Sequence, residues 1–150
     1  MTSPFSTPHA PLSGCTNLRL RQLTRRVTQH YDAELAHAGM KTTQYSLLSY
    51  VQALGPMRPG DLAEAIKMDS STLTRNLKPL SAAGWVQTMP GSDGRSRLVA
   101  ITEAGRQKRR EAQSHWKTAQ QKLNHVLGEA RVAALHALID ESLALLPTAQ

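Results

Sequence analysis

The residues best placed to do chemistry form one short stretch of small hydroxyl side chains and two cations. It begins at Ser70 and reads Ser-Ser-Thr-Leu-Thr-Arg-Asn-Leu-Lys. At a helix N-terminus, small hydroxyl side chains let the backbone approach a phosphate, whose charge the helix dipole favours. Arg75 is long enough to bond a guanine edge in the major groove, which a helix of this width fits. We therefore predict contacts to duplex DNA from Ser70, Ser71, Thr72, Thr74, Arg75 and Lys78.

A second basic segment lies between two runs of strand-forming residues, at 85–89 and 97–101. The turn-forming residues between those runs predict a β-hairpin whose tip carries Asp93, Arg95 and Arg97. An arginine on such a tip can enter the minor groove, where the negative potential is strongest. We predict Arg95 and Arg97 as further DNA contacts, and Asp93 as the residue that orients Arg95 through a charge-assisted bond.

The elements that must position these residues are mostly helical. Apolar residues from Leu20 to Leu35 recur at helical spacing, and that first helix should end near Gly39. Thr42 is the predicted N-cap of a second helix, and Asp69 or Ser70 that of the fourth, in which Pro79 should produce a kink. The remaining helices are predicted from Pro59 to Ile66, after Thr102, and along an apolar stripe from Val132 to Leu146.

The expected fold is mainly α with a small β-hairpin wing (α+β), a winged helix-turn-helix at about 42–102. Helices at about 15–38 and 103–146 should form a dimerisation region, all within one domain at 15–150. The final apolar stripe is wider than one helix needs to cover a small core, which predicts a homodimer. Residues 1–14 are rich in Pro, Ser and Thr and contain no Lys or Arg, so we expect a disordered tail and no signal peptide.

Composition narrows the class of function. A net charge of +7 favours a polyanionic partner such as DNA. The single cysteine, Cys15, allows no internal disulfide, and no apolar run approaches the length of a membrane span, so we expect a cytoplasmic protein without membrane contact. No nucleophile with a base, no paired carboxylates and no phosphate-binding loop are visible, which argues against an enzyme. The histidines show no metal-ligand spacing, so no metal or cofactor is expected.

The sequence resembles the MarR family of regulators. The matching residues are Leu62-Ala63, Thr72-Leu73-Thr74-Arg75, Gly84, Asp93-Gly94-Arg95, and Leu98-Val99-Ala100-Ile101-Thr102 with Gly105. The resemblance implies a homodimer that acts on a palindromic operator, often as a repressor that releases DNA when a small phenolic or lipophilic ligand binds. It also implies an effector cleft between the first, second and fifth helices. Residues that could line this cleft are Arg19, Leu23, Tyr45, Leu48 and Trp116, of which Leu23 and Leu48 are better explained as packing residues.

Two alternative functions stay open. Cys15, near the start of the first helix, could act as a redox sensor because a helix N-terminus and Arg19 would both lower a thiol pKa. In the hydroperoxide-sensing members of the resembling family, however, the sensor position aligns with Asn17. The other alternative is a winged helix that binds protein without contacting DNA. Each DNA-binding feature also has a plainer explanation. The helix pair could be an ordinary helical hairpin, and the basic tip could be a surface turn. The order of the two features along the chain favours the DNA-binding interpretation.

Overall fold

A computed structural model describes residues 14–147, so all but the last residue of the predicted tail lies outside the described residues. The helices are α1 (Thr16–Leu35), α2 (Thr42–Leu54), α3 (Pro59–Ala65), α4 (Ser70–Ala82), α5 (Glu103–Leu127) and α6 (Glu129–Leu145). The strands β1 (Val86–Pro90) and β2 (Arg97–Ile101) pair antiparallel, and a short 3-10 helix at Ala36–Ala38 extends α1. The predicted class, mainly helical with one β-hairpin, is confirmed.

The start of α2 differs from the sequence prediction. Thr42 is the first residue of the helix rather than its N-cap, which is Lys41. The backbone N–H of Thr42 donates to Asp32 Oδ1 of α1 at 2.7 Å, and that of Lys41 donates to Gln44 Oε1 at 3.0 Å. A carboxylate ten residues earlier thus satisfies an amide that a local cap would otherwise have served.

The helix α4 starts and stops close to where its sequence predicts. Asp69 is the N-cap, and Gly84, at φ +77°, follows the last turn in the left-handed conformation that glycine adopts most easily. Hydrogen bonding continues past Pro79, because the backbone N–H of Ala83 donates to the Pro79 carbonyl at 3.0 Å. The proline is therefore an interior residue of α4 and does not end the helix.

The core lies between α2, the α3–α4 pair, the hairpin and α5. Its largest fully buried side chains are leucines and one valine, and they come from α1, α2, α3 and α4. They are Leu35, Leu48, Val51, Leu62, Leu73 and Leu80. Burying each such side chain stabilises the fold by about 1.5–3 kcal/mol. This packing places α4 with its polar face outward.

The hairpin is joined to the helical part by backbone hydrogen bonds. Met57, in the loop before α3, exchanges two bonds with Val99 of β2, at 3.2 Å and 2.8 Å. The loop therefore lies along the open edge of β2 like a short third strand. Because β2 is flanked on both sides, its residues 99–101 are buried, whereas β1 is exposed from Gln87 onward.

The flanking helices pack differently from one another. Helix α5 runs against α1, where the Nε2–H of His30 can donate to the Ala119 carbonyl at 2.9 Å and Tyr31 donates to Gln120. Helix α6 packs mainly on α5 and buries one of its apolar side chains, Val132. Large apolar side chains of α6 and of its C-cap residue are left exposed, and these are Leu138, Ile139, Leu143, Leu145 and Leu146.

Candidate nucleic-acid interface

Helix α4 is held by leucines on the face that it turns toward α3. Leu62 of α3 and Leu73 of α4 are both fully buried, and the turn between the helices passes through Lys67 at φ +57°. The opposite face of α4 is polar. Of the residues predicted to contact DNA, Ser70, Ser71, Thr74, Arg75 and Lys78 are exposed and Thr72 is half-buried.

The first turn of α4 is organised by the carboxylate of Asp69. That carboxylate accepts from the backbone N–H of Thr72 at 3.1 Å, the Thr72 hydroxyl at 2.6 Å and the Ser71 hydroxyl at 2.5 Å. These bonds hold the pKa of Asp69 well below its usual range. The Ser71 and Thr72 hydroxyls and the Thr72 backbone N–H are therefore engaged with Asp69.

The other polar groups of α4 are also partly engaged within the helix. The Thr74 hydroxyl donates to the Ser70 carbonyl at 2.9 Å, and Arg75 Nη2 donates to the Thr72 hydroxyl at 3.3 Å. The guanidinium of Arg75 thus rests against the first turn while staying exposed. The Thr74 hydroxyl keeps both of its lone pairs and the Thr72 hydroxyl keeps one, the other being used by Arg75, so each can still accept from a base amino group.

The hairpin tip is organised by a second carboxylate. Asp93 Oδ1 accepts from the backbone N–H groups of Arg95 at 3.0 Å and Ser96 at 2.9 Å, and from the Ser96 hydroxyl at 2.7 Å. Those bonds lower the pKa of Asp93 to about 2. The expected charge-assisted bond to Arg95 therefore comes from its backbone rather than from its guanidinium. The cation that faces Asp93 is Arg58, with 3.7 Å between Nη2 and Oδ2.

Arg58 was not among the residues predicted from the sequence. It is the N-cap residue of α3 and makes no side-chain bond to the helix end. Its partner lies 35 positions later, so no local spacing links the two residues. The only sequence signal was a single basic residue before Pro59, which is too common to interpret.

The residues predicted for an effector cleft are only partly brought together. The rings of Tyr45 and Trp116 stack with centroids 6.0 Å apart, and Tyr45 is 5% exposed. Arg19 lies on the first turn of α1. A cation that was not predicted, Arg109, lies 5.6 Å from the Tyr45 ring centroid and donates to the Ser49 hydroxyl at 2.9 Å.

Of the remaining predicted residues, Leu48 is fully buried in the core and Leu23 is 39% exposed on α1. Cys15 is the N-cap residue of α1 and is half-buried. Within residues 14–147 there is no cluster of three or more potential metal ligands and no helix long and apolar enough to cross a membrane.

Comparison with known proteins shows that the chain is similar to transcriptional regulators. A model of the MarR family matches residues 38–96. The HTH-type transcriptional regulators YwoH and YxaD of Bacillus subtilis are 29% and 34% identical to it, over 60% and 59% of the chain. The alignments span 66% and 62% of those two relatives. The crystal structure of the M. tuberculosis transcriptional regulator MosR in complex with DNA has a TM-score of 0.71 and 28% identity, and the match covers 88% of this chain and 99% of that one.

Fold and matches together define a winged helix-turn-helix protein. Within that class the chain is MarR-like, and the family resemblance found in its sequence is confirmed. The proteins that it matches are transcriptional regulators and not enzymes.

The wing gives the first prediction. Arg95→Ala should weaken binding to a specific duplex by at least about threefold, because the tip would lose the cation that we predict to enter the minor groove. The melting temperature should stay nearly unchanged, since the side chain is exposed. Fluorescence anisotropy and thermal unfolding of the same sample measure both. Wild-type affinity in the variant would contradict the assignment of the wing.

The cap of α4 gives a prediction about acid stability. Because the pKa of Asp69 is lower in the folded chain, its ionised form stabilises the fold above about pH 4, and this contribution is lost as the pH falls further. Asparagine is also a good N-cap, so Asp69→Asn isolates the charge. The variant should melt below wild type at neutral pH, and the two melting temperatures should converge at low pH. A constant difference across the titration would contradict this assignment.

Proposed function

We propose that this chain is a sequence-specific regulator of transcription that binds double-stranded DNA as a homodimer. The observation that carries the proposal is the exposed polar face of α4, which holds Arg75 and Lys78, in the same winged unit as the arginine-bearing hairpin tip. Support comes from the DNA complex of the similar regulator MosR. In this assignment α4 enters the major groove and the tip with Arg95 enters the minor groove.

The dimer is supported by apolar surface that no part of the described chain covers. Leu138 is 61% exposed and Leu145 is 85% exposed on α6, and Leu20 is 52% exposed on α1. A twofold axis between two copies would bury both surfaces. It would also set two α4 helices about one DNA turn apart, which implies a palindromic operator. Such a protein acts on chromosomal DNA, in the cytoplasm.

We further propose that this regulator is a repressor and that it leaves the operator when a small ligand binds. Support comes from the stacked Tyr45 and Trp116, with Arg109 beside them. An aromatic wall with one cation suits a phenolate or an aromatic carboxylate. Because α2 and α5 carry these residues, a ligand that separated the rings would shift α2 relative to α5. That shift would alter the spacing of the two winged units.

The decisive experiment compares two cations on the same helix. Arg75→Ala should reduce discrimination between the selected operator and mutated operators by about 1–3 kcal/mol, because a guanine contact would be lost. Lys78→Ala should weaken binding to all duplexes alike and make the salt slope shallower by about one unit, as expected for a phosphate contact. Titrations over a salt series measure both quantities.

Three outcomes would count against the proposal in different ways. If Arg75→Ala lost affinity equally for every duplex, the base contact would be rejected and only phosphate binding would remain. If the wild-type protein enriched no sequence from a randomised pool, specific DNA binding would be rejected. If candidate phenolates left operator binding unchanged in wild type and in Arg109→Gln alike, control by that ligand class would be rejected.

A further inference from the structure

The wing is tied to the helix-turn-helix at two separate places. At its base, Met57 exchanges backbone hydrogen bonds with Val99, which joins the loop before α3 to the edge of β2. At its tip, the Oδ2 of Asp93 faces Arg58 Nη2 at 3.7 Å. Arg58 directly follows Met57 in the chain, so the same loop holds both ends of the wing.

The two carboxylate oxygens of Asp93 contact different partners. Oδ1 accepts the three bonds from Arg95 and Ser96 that shape the tip. Oδ2 is the oxygen directed to Arg58. The shape of the tip and its attachment to α3 are therefore separable, because a change at Arg58 leaves every bond of Oδ1 in place.

The exposure of this ion pair indicates what it can do. The side chains of Arg58 and Asp93 are 60% and 50% exposed, and pairs in such a setting contribute little to folding stability. A weak tether at the end of a two-stranded hairpin still restricts the swing of the tip. The residue that moves with the tip is Arg95, whose amide is bonded to Asp93.

We propose that Arg58 is a positioning residue for DNA recognition: through Asp93 it holds the wing tip at the orientation that presents Arg95 to the minor groove. This inference rests on the proposed function and adds to it a residue outside the predicted interface. It also means that Asp93 promotes DNA binding although its own charge is negative. A carboxylate near DNA repels the phosphates, so removing it should strengthen binding. Binding should weaken only if the loss of the ion pair with Arg58 has a larger effect than the loss of this repulsion.

The test uses the full chain and a short duplex that wild-type protein selects from a randomised pool. Arg58→Gln removes the cation, and Asp93→Asn removes the charge while its amide oxygen can still accept the bonds of the tip. Each variant should weaken binding about threefold per wing, and so about tenfold for a dimer that uses both wings. The double variant should bind as Asp93→Asn alone does, because the ion pair that Arg58→Gln would break is already absent. Arg58→Lys, which keeps the charge, should bind nearly as wild type does.

Two further readouts separate positioning from direct contact. The salt slope of Arg58→Gln should equal that of wild type, and Arg58→Gln should have no further effect in an Arg95→Ala background. In the free protein, the heteronuclear NOE of the Arg95 amide should fall in Arg58→Gln, while the melting temperature stays unchanged.

Several results would overturn the inference. A salt slope shallower by about one unit, with the loss persisting in the Arg95→Ala background, would make Arg58 a phosphate contact. Tighter binding by Asp93→Asn would show that this carboxylate only repels DNA. An unchanged NOE of the Arg95 amide in Arg58→Gln would show that the ion pair does not restrain the tip. This measurement is made on the free protein, so it tests the inference independently of DNA binding. If the wild-type protein selected no duplex, the proposed function itself would be rejected.

Discussion

Leu138→Asp is expected to abolish the dimer and operator binding together. Leu138 is 61% exposed on α6, within the apolar surface that we assign to the twofold interface. In a dimer the new carboxylate would be buried without a partner, which costs several kcal/mol for each copy. Sedimentation equilibrium should show a monomer at micromolar concentrations where the wild-type protein is a dimer. Anisotropy should show only weak, nonspecific DNA binding.

A matched variant separates the interface from a general effect on α6. His136 is also exposed and lies about 200° around the helix from Leu138, so His136→Asp should leave the dimer intact. Leu138→Ala, which introduces no charge, should loosen the dimer by a smaller factor and keep the circular dichroism spectrum of the fold. A wild-type monomer that still binds its selected duplex tightly would refute the dimer.

Gly105→Ala is expected to lower stability more than any other single methyl group added at a described glycine. A Cβ at this buried position would lie 2.1 Å from the Trp85 carbonyl oxygen and 2.9 Å from Ile101 Cγ1. That carbonyl also accepts from the backbone N–H of Thr102 at 3.0 Å, so relief of the clash must open the junction between the hairpin and α5. Overpacking against backbone should cost about 3 kcal/mol, equivalent to a melting temperature lower by about 6–12 °C.

Gly60→Ala is the control for this prediction. Gly60 lies in the first turn of α3, and no atom lies within 4 Å of a Cβ built there. Alanine should therefore stabilise the chain slightly, by up to about 1 kcal/mol, because it restricts the unfolded chain. Equal melting temperatures for Gly105→Ala and wild type would mean that α5 can shift freely away from Trp85. The presence of a glycine at position 105, which is one of the residues that match the MarR family, would then need another explanation.

Elements whose cause lies within a few residues could be predicted from the sequence. The Asp69 cap, the Gly84 stop and the turn at Asp93 all depend on neighbours that the chain brings together without any folding beyond one turn. The apolar spacing of α1 and α6 likewise predicted which faces need cover, and the structure leaves part of both exposed. These features are local, and local chemistry restricts the backbone to few choices.

Features that needed a distant partner were missed or misassigned. Thr42 was predicted to cap α2, but Asp32 of α1 serves its amide. Arg109, which lies beside Tyr45 and is 64 positions away from it in the chain, was not among the predicted residues. In each case several residues of suitable type were available, and their sequence spacing does not distinguish among them.

The sequence alone therefore determined the kind of protein: six helical segments, a hydroxyl-rich helix with Arg75, and a turn with Arg95, in the order of a winged helix-turn-helix. Only the tertiary structure decided which charges meet across elements, as Arg58 and Asp93 do. The physical reason is the sequence separation over which each kind of interaction acts. Periodicity and caps act over one or two helical turns, whereas an ion pair depends on where packing of the core places two separate segments.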